Sequence, residues 1–185
     1  MITKFLYRKK EILKDPHIIS VTDFGKGSRV FNSNQRSVGD IAKVAGISNK
    51  KAAILIRFIS FYKPKTCLEI GTSLGLGTSA ISIASPKSAI ITLEGCSETA
   101  KIASKYFNQF NVQNAKIKVG LFENTLAEIV ENTSFDFVFF DGNHQQIPTL
   151  TYFNKCIESI HNDSVFIFDD IYWNKEMTQT WELIK

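Results

Sequence analysis

The chain has 185 residues, enough for one well-buried domain and too few for two of ordinary size. With 44% hydrophobic and 22% charged residues it reads as a globular chain, neither disordered nor fibrous, and no apolar run approaches the roughly 20 residues that span a bilayer. The net charge of +4 is mild, and its main cluster (Lys4, Arg8, Lys9, Lys10 and Lys14) suits the solvated side of a short helix better than a nucleic-acid stripe.

In chain order, residues 3–14 read as a helix that the Asp15-Pro16 pair ends. Residues 18–36 read as irregular, marked as loop by Gly25, Gly27, Ser28 and Asn32. Ser37 with Asp40 three residues on resembles a capping box and opens a short helix that Gly46 closes. A very apolar helix follows from about Ser48 to Tyr62. After Pro64 the pattern changes to short β-rich runs alternating with helical segments. The expected strands are 66–70, 89–94, 115–120, 135–141 and 164–170, and the expected helices 76–85, 97–110, 122–132, 146–161 and 173–184. Nearly continuous apolar strands separated by amphipathic helices indicate a parallel sheet covered on both faces. Right-handed crossovers then give an α/β, doubly wound, Rossmann-like domain of about five strands. Residues 1–63 are expected to form a helical and looped cover segment, and residues 64–185 a cofactor-binding domain.

Three cysteines, Cys67, Cys96 and Cys156, lie in or beside apolar segments without metal-type spacing, which fits reduced, buried thiols. The N-terminus alternates basic and apolar residues and lacks the continuous apolar stretch of a signal peptide, so a cytoplasmic location is expected.

In an open parallel sheet, ligands bind beyond the carboxyl ends of the strands, at the switch point beside the first strand. There the chain reads CLEIGTSLGLGTSAIS, residues 67–82, with glycines that let backbone approach a ligand and a helix whose N-terminus faces the site. The GxxxGxG spacing also occurs in NAD(P)-binding short-chain dehydrogenases. Those enzymes share a downstream Tyr-x-x-x-Lys pair, whereas Tyr152 and Tyr172 each precede a lysine by three positions. GTSLG also fits G-x-S-x-G, with Ser73 as a hydrolase nucleophile. Against that reading, no histidine follows Asp169 and Asp170 to complete the order, and residues 1–65 lack the strands that precede such an elbow. A plain loop of small residues leaves Glu94 unexplained. Glu94 lies 23 residues after Gly71 at a strand tip, where a carboxylate can accept hydrogen bonds from ribose hydroxyls.

The ordered segments CLEIGTSLG, TLEGC, VGLFENTL, FVFFDGNH and VFIFDD resemble class I S-adenosylmethionine-dependent methyltransferases. The likeness is greatest to small-molecule O-methyltransferases of the catechol, caffeoyl-CoA and macrolide-sugar types, over roughly residues 64–185. The resemblance implies a cofactor site at Glu69, Gly71, Thr72, Ser73 and Gly75, with Glu94 and Gly95 at the ribose. Leu121 and Phe122 would flank the adenine, and Asp141 would lie near the methionyl or metal side. Leu121 departs from relatives that carry an acidic or small residue there, which leaves an apolar adenine wall rather than an adenine hydrogen bond.

A second constellation joins Asp141 at the end of the fourth strand with Asp169 and Asp170 at the end of the fifth. If those strands are neighbours, their tips lie ~5 Å apart. Three converging carboxylates are costly unless neutralised, and a hard divalent cation such as Mg²⁺ does this well. The resemblance points the same way. His144 is the candidate general base, assisted by Asp141, with Asn143 able to orient either. As alternatives, the same chain could be an inactive S-adenosylmethionine-binding module or an NAD(P)-binding oxidoreductase.

DIAKVAGISNKK resembles the helix-turn-helix of LacI-type repressors. The helix continues AAILIRFISFY, however, which must be buried, so a nucleic-acid partner is not expected. Phe24, Arg29 and Arg36 are candidates to line a pocket for a small-molecule acceptor. Methyltransferases of this class add antiparallel strands after the last helix. The chain is therefore expected to be a fragment, or else to have its apolar edge strand covered by a partner such as a second copy.

Overall fold

The computed structural model describes every residue except Lys26, Ser28 and Arg29, so the sequence expectation for Arg29 lies outside the described residues. Helix α1 spans Ile2–Leu13, and α2 (Val38–Val44) and α3 (Asn49–Tyr62) follow it. Each of the latter two starts at a serine. Ser37 Oγ accepts the Asp40 amide and Ser48 Oγ the Lys51 amide, so both caps satisfy an otherwise orphaned N–H. Residues 18–36 are not wholly irregular. Ile18–Ser20 (β1) pairs antiparallel with Gln35–Ser37 (β2), and Ile19 alone of β1 turns into the core. No period-two run is visible over three residues, which is why the pairing escapes sequence reading.

The main sheet contains β3 (Thr66–Ile70), β4 (Ala89–Glu94), β5 (Ala115–Val119), β6 (Phe135–Phe140) and β7 (Ile160–Phe168). Its order is β5-β4-β3-β6-β7 and every neighbouring pair is parallel. The order reverses between β3 and β6, so a crevice opens at their carboxyl ends. The intervening helices are α4 (Leu76–Ala84), α5 (Ser97–Gln109), α6 (Phe122–Val130) and α7 (Gln146–Ile157), and α8 (Lys175–Ile184) follows β7.

Two apolar clusters cover the two sheet faces. On one face α3 buries Ala52, Leu55, Ile56 and Ile59, a helical stripe. Each fully buried Leu or Ile contributes roughly 1.5–3 kcal/mol of transfer free energy. That stripe packs in the same cluster as Cys67, Phe137 and Phe139, while Ile54 and Phe61 of the same helix stay exposed. On the other face Leu126, Ile129, Tyr152 and Cys156 pack on Leu68, Val138 and Phe140. All three cysteines are buried and free.

Strand β7 starts four residues earlier than its apolar run, at Ile160, and α7 correspondingly stops at Ile157 instead of 161. The added residues form an irregularity in the β6 pairing, where the Ser164 hydroxyl accepts the His161 amide and His161 Nδ1 accepts that of Asp163. Exposed polar residues making their own turn bonds give no period for sequence reading to detect. Among the described residues, no helix is long and apolar enough to cross a membrane.

Candidate active site

A cavity of about 1070 Å³ opens at the carboxyl ends of the strands and runs beneath the N-terminal hairpin loop. Its floor is the junction of β3 and β6. The Asp141 amide donates to the Ile70 carbonyl at 2.9 Å, and the Asp169 amide to the Phe140 carbonyl at 2.8 Å, so three strand tips stand side by side. Gly71 makes this junction possible. Its φ is +105°, and an added Cβ would collide with the Asp141 carbonyl group, lying 2.7 Å from the carbon.

Of the residues singled out from sequence, Gly71, Ser73, Glu94, Gly95, Leu121, Phe122, Asp141, His144, Asp169 and Asp170 all border this one cavity. Glu69, Thr72 and Gly75 do not line it. Glu69 is fully buried beneath the loop, where its Oε2 accepts the Thr78 and Thr92 hydroxyls. Burial, opposed by those two bonds and reinforced by the Glu94 charge, lifts its pKa to about 7. Thr72 shares a 2.6 Å hydrogen bond with the Thr92 hydroxyl. Gly75 begins α4 in the left-handed region, and the group closest to it is the Phe107 ring of α5.

Glu94 is gripped at both oxygens, by the Ser73 amide at 2.7 Å and the Cys96 amide at 2.9 Å. Burial raises its pKa even so, with the backbone donors pulling the other way. Each oxygen keeps an acceptor lone pair for a ligand. Asp141 sits well above the usual carboxylate range because of burial, and because the charges of Asp169, Glu69 and Asp170 outweigh that of Lys51. His144 is pulled below its ordinary value by burial, against the charges of Asp170 and Asp169. Its ring lies 5.6 Å from that of Trp173, and its Nε2 is 4.0 Å from Asp170 Oδ2.

Four non-glycine residues on the cavity wall hold left-handed backbone: Ser73, Asn143, His144 and Asp170. Each conformation costs of order 1 kcal/mol or more, and such strain gathers where a site imposes geometry. Two wall atoms, Thr99 Oγ1 and Asn143 Oδ1, are buried without a hydrogen-bond partner among the described residues. Buried polar atoms are nearly always satisfied, so two such atoms beside one cavity set this wall apart from an ordinary core.

Several wall residues were not anticipated. Tyr152 donates to Glu123 at 2.8 Å and packs edge-on against Phe122. Lys51, from the first turn of α3, reaches across the cavity to bind Asp169, and Asp170 Oδ1 at 2.9 Å. Burial lowers its pKa, but the bonds and charges of the two aspartates outweigh this and raise it. Phe24 and Arg36 also line the cavity, and the Phe24 ring lies against Gly95.

A family model described as O-methyltransferase matches residues 34–182. The chain belongs to the O-methyltransferase family. No curated protein matches it significantly by sequence. Among solved structures, the fold of this O-methyltransferase is similar to an O-methyltransferase from Bacillus cereus in complex with SAH. The two are 22% identical with a TM-score of 0.68, over 76% of this chain and 70% of that one. It is also similar to a putative caffeoyl-CoA O-methyltransferase from Staphylococcus aureus, at 15% identity and TM-score 0.70, over 78% of this chain and 77% of that one. A third is TomG from Streptomyces achromogenes, involved in tomaymycin synthesis and solved with SAM, at 19% identity and TM-score 0.67, over 76% and 70% of the two chains. At these identities the likeness establishes the fold and nothing finer.

Proposed function

We propose that this O-methyltransferase binds S-adenosylmethionine along the tips of β3, β4 and β6 and methylates a hydroxyl of a small acceptor seated under the N-terminal hairpin loop. The observation that carries the reading is one wall that combines the Gly71–Ser73 turn with the doubly held Glu94 carboxylate at the tip of β4. This donor and acceptor set fits a nucleoside with a cationic tail. Glu94 would accept from the ribose hydroxyls, and Asp141 would lie beside the cationic methionyl end. Leu121 and Phe122 would supply an apolar wall for the base, while Glu69, Thr72 and Gly75 would act from beneath by holding the loop in shape.

Bound S-adenosylmethionine supplies an electrophilic methyl group and departs as S-adenosylhomocysteine. The protein must bring the acceptor oxygen in line and take its proton. His144 is the base in this reading. Burial keeps the imidazole neutral at pH 7 and so able to accept that proton at Nε2 or Nδ1. Trp173 and Asp170 flank the ring and restrict its position. Phe24 and Arg36 would contact the acceptor.

A divalent cation held by Asp141, Asp169 and Asp170 does not fit the arrangement of the side chains. The Lys51 ammonium binds the two adjacent aspartates. Among the described residues no group of three or more His, Cys, Asp or Glu is disposed to hold a metal ion.

Thermal unfolding with S-adenosylmethionine, S-adenosylhomocysteine, NAD⁺ and NADP⁺ tests the cofactor, since a ligand at a hundred times its Kd stabilises by about 2.7 kcal/mol. A rise in Tm with the first two only is expected; a rise with the nicotinamide nucleotides alone would overturn the reading. With a catechol panel and mass-spectrometric detection of methylated product, His144→Ala should lower kcat by roughly 10²–10⁴. An unchanged kcat would remove His144 from the mechanism.

A further inference from the structure

We infer that Lys51 acts as the built-in cation of the active site, holding the acceptor oxygen with its ammonium and making methyl transfer independent of a divalent metal. The inference rests on the methyltransferase reading of the cavity and adds to it a catalytic residue from the N-terminal segment.

Lys51 lies 118 residues from Asp169 in the chain, and its Nζ binds Asp169 Oδ1 and Asp170 Oδ1 together. Two of the three ammonium hydrogens are thereby used, and one remains for a ligand in the cavity that Lys51, Asp141, His144 and both aspartates share. The aspartates are presented as a pair by their own turn. Asp170 holds φ +52°, its amide donates to Asp169 Oδ1 at 2.8 Å, and its carbonyl accepts the Trp173 amide at 2.8 Å.

The position of Lys51 is unusual for a lysine. It stands in the first turn of α3, which contains no acidic residue, and the positive end of the helix dipole disfavours a cation there. The Ser48 cap on its own amide fixes the backbone from which the side chain sets out. A helix N-terminus that needed only surface charge would be better served by Asp or Glu. Lys50 shares that turn, and of the two lysines it is Lys51 that the aspartates hold.

A cation over the acceptor oxygen favours the developing alkoxide or phenoxide as the C–O bond forms and the methyl C–S bond breaks, while the proton passes to the base. An ammonium in that place also repels a metal ion. Removing it should therefore do two things: slow the transfer and free the carboxylates for a metal.

The test is calorimetric titration of Mn²⁺ into the full chain, with and without S-adenosylhomocysteine, for wild type, Lys51→Met and Lys51→Arg. Wild type and Lys51→Arg should take up no Mn²⁺ in the low-millimolar range, whereas Lys51→Met should bind it about tenfold more tightly or better. Methyl transfer by wild type should survive EDTA, and Lys51→Met should lose about tenfold or more in kcat. Tight Mn²⁺ binding by wild type, or full EDTA-resistant turnover by Lys51→Met, overturns the inference. So does a folded Lys51→Met, verified by its melting curve, that gains no Mn²⁺. If Lys51→Met does not fold, wild type and Lys51→Arg decide the matter alone. S-adenosylhomocysteine binding in the same titrations separates the two levels. Its presence alongside a failed metal prediction sinks the Lys51 role only, and its absence from wild type sinks the methyltransferase reading and the Lys51 role with it.

Discussion

Replacing Glu69 by Gln removes the one carboxylate that the fold buries completely beneath the glycine loop. Its pKa stands at about 7 against an ordinary value of 4.5, burial being the main cause. An acid whose value is raised by folding binds its proton more tightly in the folded state. Its contribution is therefore most favourable below the ordinary value, declines as pH climbs from about 4.5 to about 7, and stays at its least favourable above that. At about 1.4 kcal/mol per pH unit, ionised Glu69 costs the folded protein about 3 kcal/mol. Gln matches Glu in shape and its amide oxygen can still accept from Thr78 and Thr92. Its amide group would stand where Glu69 Oε1 now has no partner, a cost of about 1–3 kcal/mol at every pH. Urea unfolding at pH about 5 and about 8.5 separates the two terms. Relative to wild type, Glu69→Gln should lose stability at the lower pH and recover about 2.5 kcal/mol of the difference at the higher. Parallel pH profiles for the two proteins would refute the assignment of a raised, titrating Glu69.

Gly71→Ala should destabilise the chain by about 3 kcal/mol or more, combining a left-handed backbone penalty with overlap on Asp141. Urea unfolding would detect it, and a loss below about 1 kcal/mol would show that the β3–β6 junction can relax. Glu94→Gln should weaken S-adenosylhomocysteine binding about tenfold to a hundredfold by calorimetry, since the charged acceptor is lost and the new amide NH2 must face the Ser73 or the Cys96 N–H; a melting curve checks that the fold survives. Unchanged affinity would remove Glu94 from the cofactor site.

Much of the site was legible because it is local in sequence. CLEIGTSLG places Gly71 and Ser73 on one strand-to-helix turn. Glu94 follows one β-α unit later at a strand tip, and the register of parallel neighbours brings those tips together once the order is β5-β4-β3-β6-β7. Asp141, Asp169 and Asp170 came to one cavity for the same reason. The limit shows at Glu69 and Gly75, which lie within the same motif and yet face away from the cavity. A motif gives position along the chain, whereas the pleat and the packing of α4 and α5 decide which side a residue takes.

By itself, the sequence determined the alternation of buried strands and helices, the glycine turn after the first strand of the main sheet, and the acidic residues at the strand ends. These follow from period, capping and loop chemistry, which act over a few neighbouring residues. Tertiary structure alone decided what neutralises the paired aspartates. Lys51 belongs to a helix whose sequence resembles a repressor motif, and nothing within ten residues of it hints at Asp169 or Asp170. Only the burial of Ala52, Leu55, Ile56 and Ile59 on the sheet docks α3 so that its first turn faces the ends of β6 and β7. Coulombic attraction between groups so far apart in the chain acts only after packing has brought them within bonding distance.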